Sequence, residues 1–212
     1  MIQVILVDDH ELIRRGIRMT LEDCEDINVV GEAGDWTELR ELLKTASCDV
    51  LLLDINLPGK NGIEILKSVR DAYPQIRTLM LSMFPEDQYG VRSLRAGALG
   101  YLTKASAPDQ LVNAVRQVAT GKKFLTPEIA AALADNLGID DDHRHNKLSD
   151  REFQTLKLIT EGKRLSDIAQ IMSLSPKTVS VYRARLLEKL GVGSNAEAAR
   201  YAVEHGLVEK NI

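Results

Sequence analysis

Val50-Leu51-Leu52-Leu53-Asp54-Ile55-Asn56-Leu57-Pro58-Gly59 sets four consecutive apolar residues ahead of a carboxylate and a Pro-Gly pair. A run that is apolar at every position, rather than at alternate ones, reads as a strand covered on both faces, as in a parallel sheet sandwiched between helices. Working outward, short runs of the same kind recur at 4–7, around 29–30, at 78–81 and, more weakly, at 100–102. Helical periodicity fills the intervals, at 12–21, 37–44, 62–73, 86–96 and 108–120. The expectation over residues 1–120 is an α/β doubly wound five-stranded parallel sheet. Such a sheet binds its ligand outside the carboxyl ends of the strands, where the strand order reverses. Chemistry is therefore sought just after each apolar run.

The pattern then changes. Thr126-Pro127 offers an N-cap and an N1 proline for one helix to about residue 137, with Gly138 placed to stop it. Residues 140–147 are wholly polar, so 121–147 reads as a linker carrying one helix, with His143 and His145 exposed rather than metal-binding. From Leu148 onward the periodicity is purely helical. Ser149-Asp150-Arg151-Glu152 fits a capping box ahead of Phe153, Leu156 and Ile159. A second apolar stripe comprises Ile168, Ala169, Ile171 and Met172. Ser175-Pro176 opens a third helix, on which Val179, Leu186, Leu187 and Leu190 face inward, and a fourth follows at 196–204. Residues 148–212 are expected to form an all-α four-helix unit with a helix-turn-helix.

Composition limits the function. The 212 residues are 44% apolar and 27% charged, with no run near the ~20 residues of a spanning helix and no basic leader, so a cytoplasmic chain without membrane contact is expected. Cys24 and Cys48 read as packing residues. Nine aromatic residues are too few for base-stacking platforms of the single-strand-binding kind. The net charge of −4 argues against nucleic acid until it is divided along the chain. Residues 1–120 carry 18 Asp and Glu against 13 Lys and Arg, whereas 148–212 carry 8 against 10. Halves of opposite sign imply different partners.

The expected strand ends are Asp8-Asp9, Asp54, Ser82 and Lys104. Three carboxylates at one end of a sheet need a hard cation or a positive side chain to offset their repulsion. Mg2+ suits oxygen donors of this kind, Lys104 supplies a compact charge, Ser82 a hydroxyl, and Asp54 a carboxylate nucleophile able to become an aspartyl phosphate. His10 adjoins the acidic pair and reads as a loop residue at the start of the first helix.

Asp8-Asp9, Asp54, Leu57-Pro58-Gly59 with Gly62, Ser82, Tyr101 and Lys104 together resemble the receiver domain of two-component response regulators, a flavodoxin-like fold. The resemblance implies that Asp54 is the phosphoacceptor. It implies Mg2+ ligands in Asp9, Asp8 (directly or through water), Asp54 and the carbonyl of Asn56, and a switch pair in Ser82 and Tyr101. Leu148-Ser149-Asp150-Arg151-Glu152, Ile168-Ala169, Ser175-Pro176-Lys177-Thr178-Val179 and Lys189-Leu190 resemble the LuxR-type DNA-binding domain. Together the two place the chain in the NarL/FixJ family of transcriptional regulators, and Ser175-Pro176-Lys177-Thr178-Val179 followed by Tyr182-Arg183 is similar to the branch containing GacA and UvrY.

The outward face of the third helix supplies the candidate DNA contacts: Lys177, Thr178, Ser180, Val181, Tyr182, Ala184, Arg185 and Lys189. Short side chains at a helix N-terminus let the backbone approach base edges while Lys and Arg take phosphates. Departures from the family include Tyr182 in place of a usual His, and Arg164-Leu165 in place of Ser-Asn. Ser180 and Ala184 stand where some members have lysine. The partners implied are a cognate sensor histidine kinase, double-stranded DNA, a second copy of the chain on activation, and RNA polymerase as a candidate. Two alternatives remain open: a phosphorylation-independent transcription factor whose receiver serves dimerisation, and a Mg2+-dependent phosphatase working through an aspartyl phosphate. The phosphatase would need a further acid or base beside Asp54, and the sequence offers none.

Overall fold

The structure, a computed structural model, describes residues 1–137 and 144–207. The chain forms two compact units, Met1–Asp135 and Asn136–Ile212.

In the first unit five parallel strands, β1 (Ile2–Val7), β2 (Ile27–Ala33), β3 (Val50–Asp54), β4 (Arg77–Ser82) and β5 (Gly100–Thr103), lie in the order β2-β1-β3-β4-β5. The order reverses between β1 and β3, and this crevice is where the ligand site belongs. Val4 pairs with Val50 and Leu52 with Leu79, so the three central strands are in step and their last residues end level. Every residue of β3 is buried. Alternate residues serve opposite faces. Val4, Leu6, Val50, Leu52, Leu79, Leu81 and Leu102 pack with Leu111, Val115 and Val118 in one cluster. Ile5, Leu51, Leu53 and Met80 fall on the other face and are equally buried.

The covering helices are α1 (Glu11–Glu22), α2 (Trp36–Thr45), α3 (Gly62–Ala72), α4 (Glu86–Ala96) and α5 (Pro108–Ala119). Each begins within a residue of its sequence-based start, and two carry local caps: Asp35 accepts from the amides of Thr37 and Glu38, and Asn61 with Glu64 closes a capping box. A sixth helix, α6 (Pro127–Leu137), follows a Thr126 whose hydroxyl bonds Glu86 and the Ile129 amide. The expected stop at Gly138 and the polar residues 140–143, His143 among them, lie outside the described residues.

The second unit contains a 3-10 turn (Arg144–Lys147), α7 (Asp150–Thr160), α8 (Leu165–Ile171), α9 (Pro176–Leu190) and α10 (Asn195–Glu204). Leu148, Phe153, Leu156, Ile168, Ala169, Met172, Val179, Leu186, Leu190, Ala198 and Ala202 are its buried apolar residues at 3% exposure or less. Ser149 and Glu152 form the expected capping box.

Two sequence-based expectations need correction here. Ile171 is half exposed, not part of the inward stripe. Ile168, Ala169 and Met172 occupy one ~100° arc, and Ile171 falls about 60° outside it. His145 is not a free linker residue. The 3-10 turn folds against the helices: Arg144 donates to the Leu190 carbonyl at 3.0 Å, and the His145 ring meets Tyr201 edge-on with Nδ1 3.3 Å from the phenol oxygen.

Candidate functional site

Asp54 ends β3 and Asp8 follows β1, so the switch point brings their carboxyl groups together. Both are almost fully buried, at 1% and 0% exposure. Lys104, just after β5, reaches between them: its ammonium donates to Asp54 Oδ2 at 2.8 Å and lies 2.6 Å from Asp8 Oδ2. The Asp8 contact lies off the hydrogen-bonding direction, so it is a charge contact rather than a hydrogen bond. Asp54 Oδ1 is buried with no hydrogen-bond partner. Burial raises the Asp54 carboxyl above its ordinary range; Lys104 opposes that rise, the neighbouring Asp8 charge adds to it, and the Asn56 amide offsets part.

Asp9 is exposed beside this pair. His10, which sequence reasoning assigned only a loop position, occupies the N-cap of α1 and turns its ring back. Its Nδ1 lies 2.7 Å from Asp9 Oδ1 and 3.1 Å from Asp8 Oδ1, and its amide donates to Asp8 Oδ1 at 2.9 Å. Donor atoms of Asp8, Asp9, His10 and Asp54 all lie within 4.8 Å of one another. An orphaned buried carboxylate oxygen among such donors fits a hard divalent cation.

Arg14 and Glu32 also escaped the sequence reading. Arg14 donates to the Asp8 carbonyl and, through Nε, to Glu32 at 3.2 Å, which braces the end of β1 against β2. The α1 register carried the signal: four residues after the cap, a side chain lies over the strand end.

Ser82 is fully buried at the end of β4, and its hydroxyl accepts from the Phe84 amide at 3.2 Å. Tyr101 lies fully inward, its hydroxyl donating to the Phe84 carbonyl at 2.9 Å, and burial pushes its phenol well above the ordinary value. The Phe84 ring stacks on Tyr89 at 5.1 Å. The β4–α4 loop thus ties Ser82 to Tyr101 through one residue.

In the second unit, α8 and α9 are joined by a short turn in which Ser173 has φ +52°. Ser175 caps α9. Lys177, Ser180, Val181, Ala184 and Arg185 are exposed, and Thr178 and Tyr182 are half-buried. Lys189 is exposed too, but its ammonium lies 2.6 Å from Glu152 Oε2, in the α7 capping box. Arg183 donates to Asn195 at the start of α10 at 2.6 Å. Among the described residues, no helix is long and apolar enough to cross a membrane.

A lysine-bridged carboxylate pair at the switch point of a five-stranded parallel sheet, followed by a capped helix-turn-helix unit, defines a response regulator: a receiver with a DNA-binding output unit. Residues 4–116 match the family described as response regulator receiver domain, and 146–202 that described as bacterial regulatory proteins, luxR family. The chain belongs to the NarL/FixJ family of response regulators, which regulate transcription.

It is 37% identical to the response regulator UvrY of Escherichia coli (strain K12) over 98% of this chain and 96% of UvrY. It is also 37% identical to the response regulator GacA of Pseudomonas aeruginosa, over 99% of each. Among solved structures it resembles RcsB from Salmonella enterica serovar Typhimurium bound to promoter P1flhDC in the presence of the phosphomimetic BeF3-. That match has a TM-score of 0.67 and 28% identity, covering 96% of this chain and 98% of the other. A structure of two RcsB dimers bound to two parallel DNAs is also similar, with a TM-score of 0.60 and 30% identity over 98% and 99%.

Proposed function

We propose that Asp54 accepts a phosphoryl group from a sensor histidine kinase and that this event controls DNA binding by α9 in a homodimer. The observation that carries the reading is Asp54 itself: one carboxylate oxygen held by Lys104 and the other buried without a partner. In the transfer, the Asp54 oxygen forms a bond to phosphorus as the donor's P–N bond breaks, and the leaving imidazole takes up a proton. Lys104, already between the carboxylates, offsets the charge gathered on the phosphoryl oxygens. Asp8, Asp9, Asp54 and the Asn56 carbonyl would hold Mg2+, which supplies further neutralisation of those oxygens. Ser82 is placed to donate its hydroxyl to the acyl phosphate. That would free the Phe84 amide and disturb the Tyr101 contact, a local change that biases a two-state loop.

On the output unit, Lys177, Thr178, Ser180, Val181, Tyr182, Ala184 and Arg185 form the DNA-facing surface, while Lys189 is engaged with Glu152. RcsB dimers on DNA support the dimeric reading. The full chain, incubated with Mg2+ and a small acyl phosphate donor, is expected to gain one base- and hydroxylamine-labile phosphoryl group and to bind its operator more tightly. An Asp54→Asn variant that is still phosphorylated to the same extent would overturn the assignment.

A further inference from the structure

We propose that His10 is a fourth side-chain donor of the acidic site and extends its metal preference from Mg2+ toward nitrogen-accepting divalent ions such as Co2+ and Zn2+. The inference rests on the metal reading of that site given above. Its own observation is the imidazole: Nδ1 lies 2.7 Å from Asp9 Oδ1 and 3.1 Å from Asp8 Oδ1. Neighbouring ligands of a six-coordinate ion at about 2.1 Å stand about 3 Å apart. The imidazole nitrogen already stands at that spacing from the two carboxylate oxygens, and Asp54, whose Oδ1 is buried without a hydrogen-bond partner, places a donor atom within 4.8 Å of the same group.

The backbone fixes the arrangement. His10 is the N-cap of α1, its amide is pinned to Asp8 Oδ1 at 2.9 Å, and Arg14 in the first turn holds the Asp8 carbonyl. Mg2+ gains little from a nitrogen donor and keeps its waters, whereas first-row ions toward copper and zinc gain from imidazole. With 57% of its side chain exposed, His10 can also be replaced without opening the core. Asparagine, a better N-cap, keeps the helix start.

The test compares the full chain with His10→Asn. Co2+, Zn2+ and Mg2+ are titrated by calorimetry, and bound Co2+ is followed by the hyperfine-shifted ring-proton resonances of a coordinated imidazole. The expected result is Co2+ binding at least tenfold weaker in the variant, Mg2+ binding unchanged within about twofold, and shifted resonances present only in the parent and lost on adding excess Mg2+. Equal Co2+ affinities, or shifted resonances that persist in the variant because its three remaining histidines produce them, would overturn the proposal. A parent that binds Co2+ through His10 but no Mg2+ would leave this inference standing and remove the magnesium reading.

Discussion

Asp54 is the residue at which function and stability oppose each other. Its carboxyl is raised by burial and by the Asp8 charge, so the ionised form costs the fold free energy wherever both folded and unfolded states are ionised. The penalty is present at neutral pH and fades as pH falls through the raised folded-state value, where the native carboxyl protonates first. Asp54→Asn should therefore raise the receiver's melting temperature near pH 8, and raise it by less at acid pH, while abolishing phosphorylation. Calorimetry at the two pH values checks the sign; a variant that melts lower at pH 8 refutes the argument. Arg185 and Lys189 separate in the same way. Exposed Arg185→Ala is expected to weaken DNA binding across sequences and lower the salt slope by about one. Lys189→Ala is expected to cost about 1–2 kcal/mol of stability, because Glu152, whose burial penalty Lys189 and the Ser149 amide outweigh, loses its cation. Binding isotherms at several salt concentrations and urea unfolding distinguish the two. Asp54, Asp8 and Lys104 were legible because each follows an apolar run. His10, Arg14 and Glu32 were not, since their roles depend on a cap and on a strand neighbour distant in sequence.

Elements were legible where the local code is strong. Continuous apolar runs marked the strands, and Thr-Pro, Ser-Pro and capping-box signals marked the starts of α6, α9 and α7, so the five-stranded sheet and the helix-turn-helix followed from periodicity and turn chemistry. Two junctions were not legible, one set by close backbone approach and one by a left-handed backbone conformation. Gly62 opens α3 directly under β3: a Cβ there would overlap the Asp54 carbonyl oxygen and come within 2.8 Å of Ile55 Cα, while the Gly62 amide bonds the Ile55 carbonyl at 2.9 Å. Gly62→Ala must displace the strand end that carries the phosphoacceptor, and a loss of about 3 kcal/mol or more is expected, read as a lowered receiver melting temperature. The turn between α8 and α9 instead holds Ser173 at φ +52°, a left-handed conformation that costs a side chain about 1 kcal/mol. Ser173→Gly should relieve that strain and stabilise the output unit by about 0.5–1 kcal/mol, with the orientation of α9 kept. Denaturant midpoints decide it, and an unchanged or lower midpoint means the turn is not strained.

At the scale of the whole molecule, the net charge that seemed to disfavour DNA separates by unit, and the boundary of the second unit determines how much positive charge it carries. Residues 148–212 hold two more basic than acidic side chains; starting at 144 adds Arg144 and Lys147 with no carboxylate, raising the excess from two to four. The added turn is also structural. Arg144 closes the C-terminus of α9, donating to Leu190 at 3.0 Å beside Gly191 at φ +67°, a cation placed where the helix dipole favours one. His145 packs its ring against Tyr201 of α10, which in turn stacks on His205 at 3.9 Å. The polar composition of 140–147 hid this, because a charged residue that caps a distant helix has the same one-letter signature as a solvated linker residue. A fragment 144–212 is therefore expected to exceed a fragment 148–212 in stability by about 1.5–3 kcal/mol, the range for a charge-assisted hydrogen bond with its supporting contact. It should also bind duplex DNA with a salt slope steeper by up to about two. Arg144→Ala in the longer fragment should remove most of the stability difference and about half of the added slope. Coincident urea transitions for the two fragments would show that the turn belongs to the linker after all.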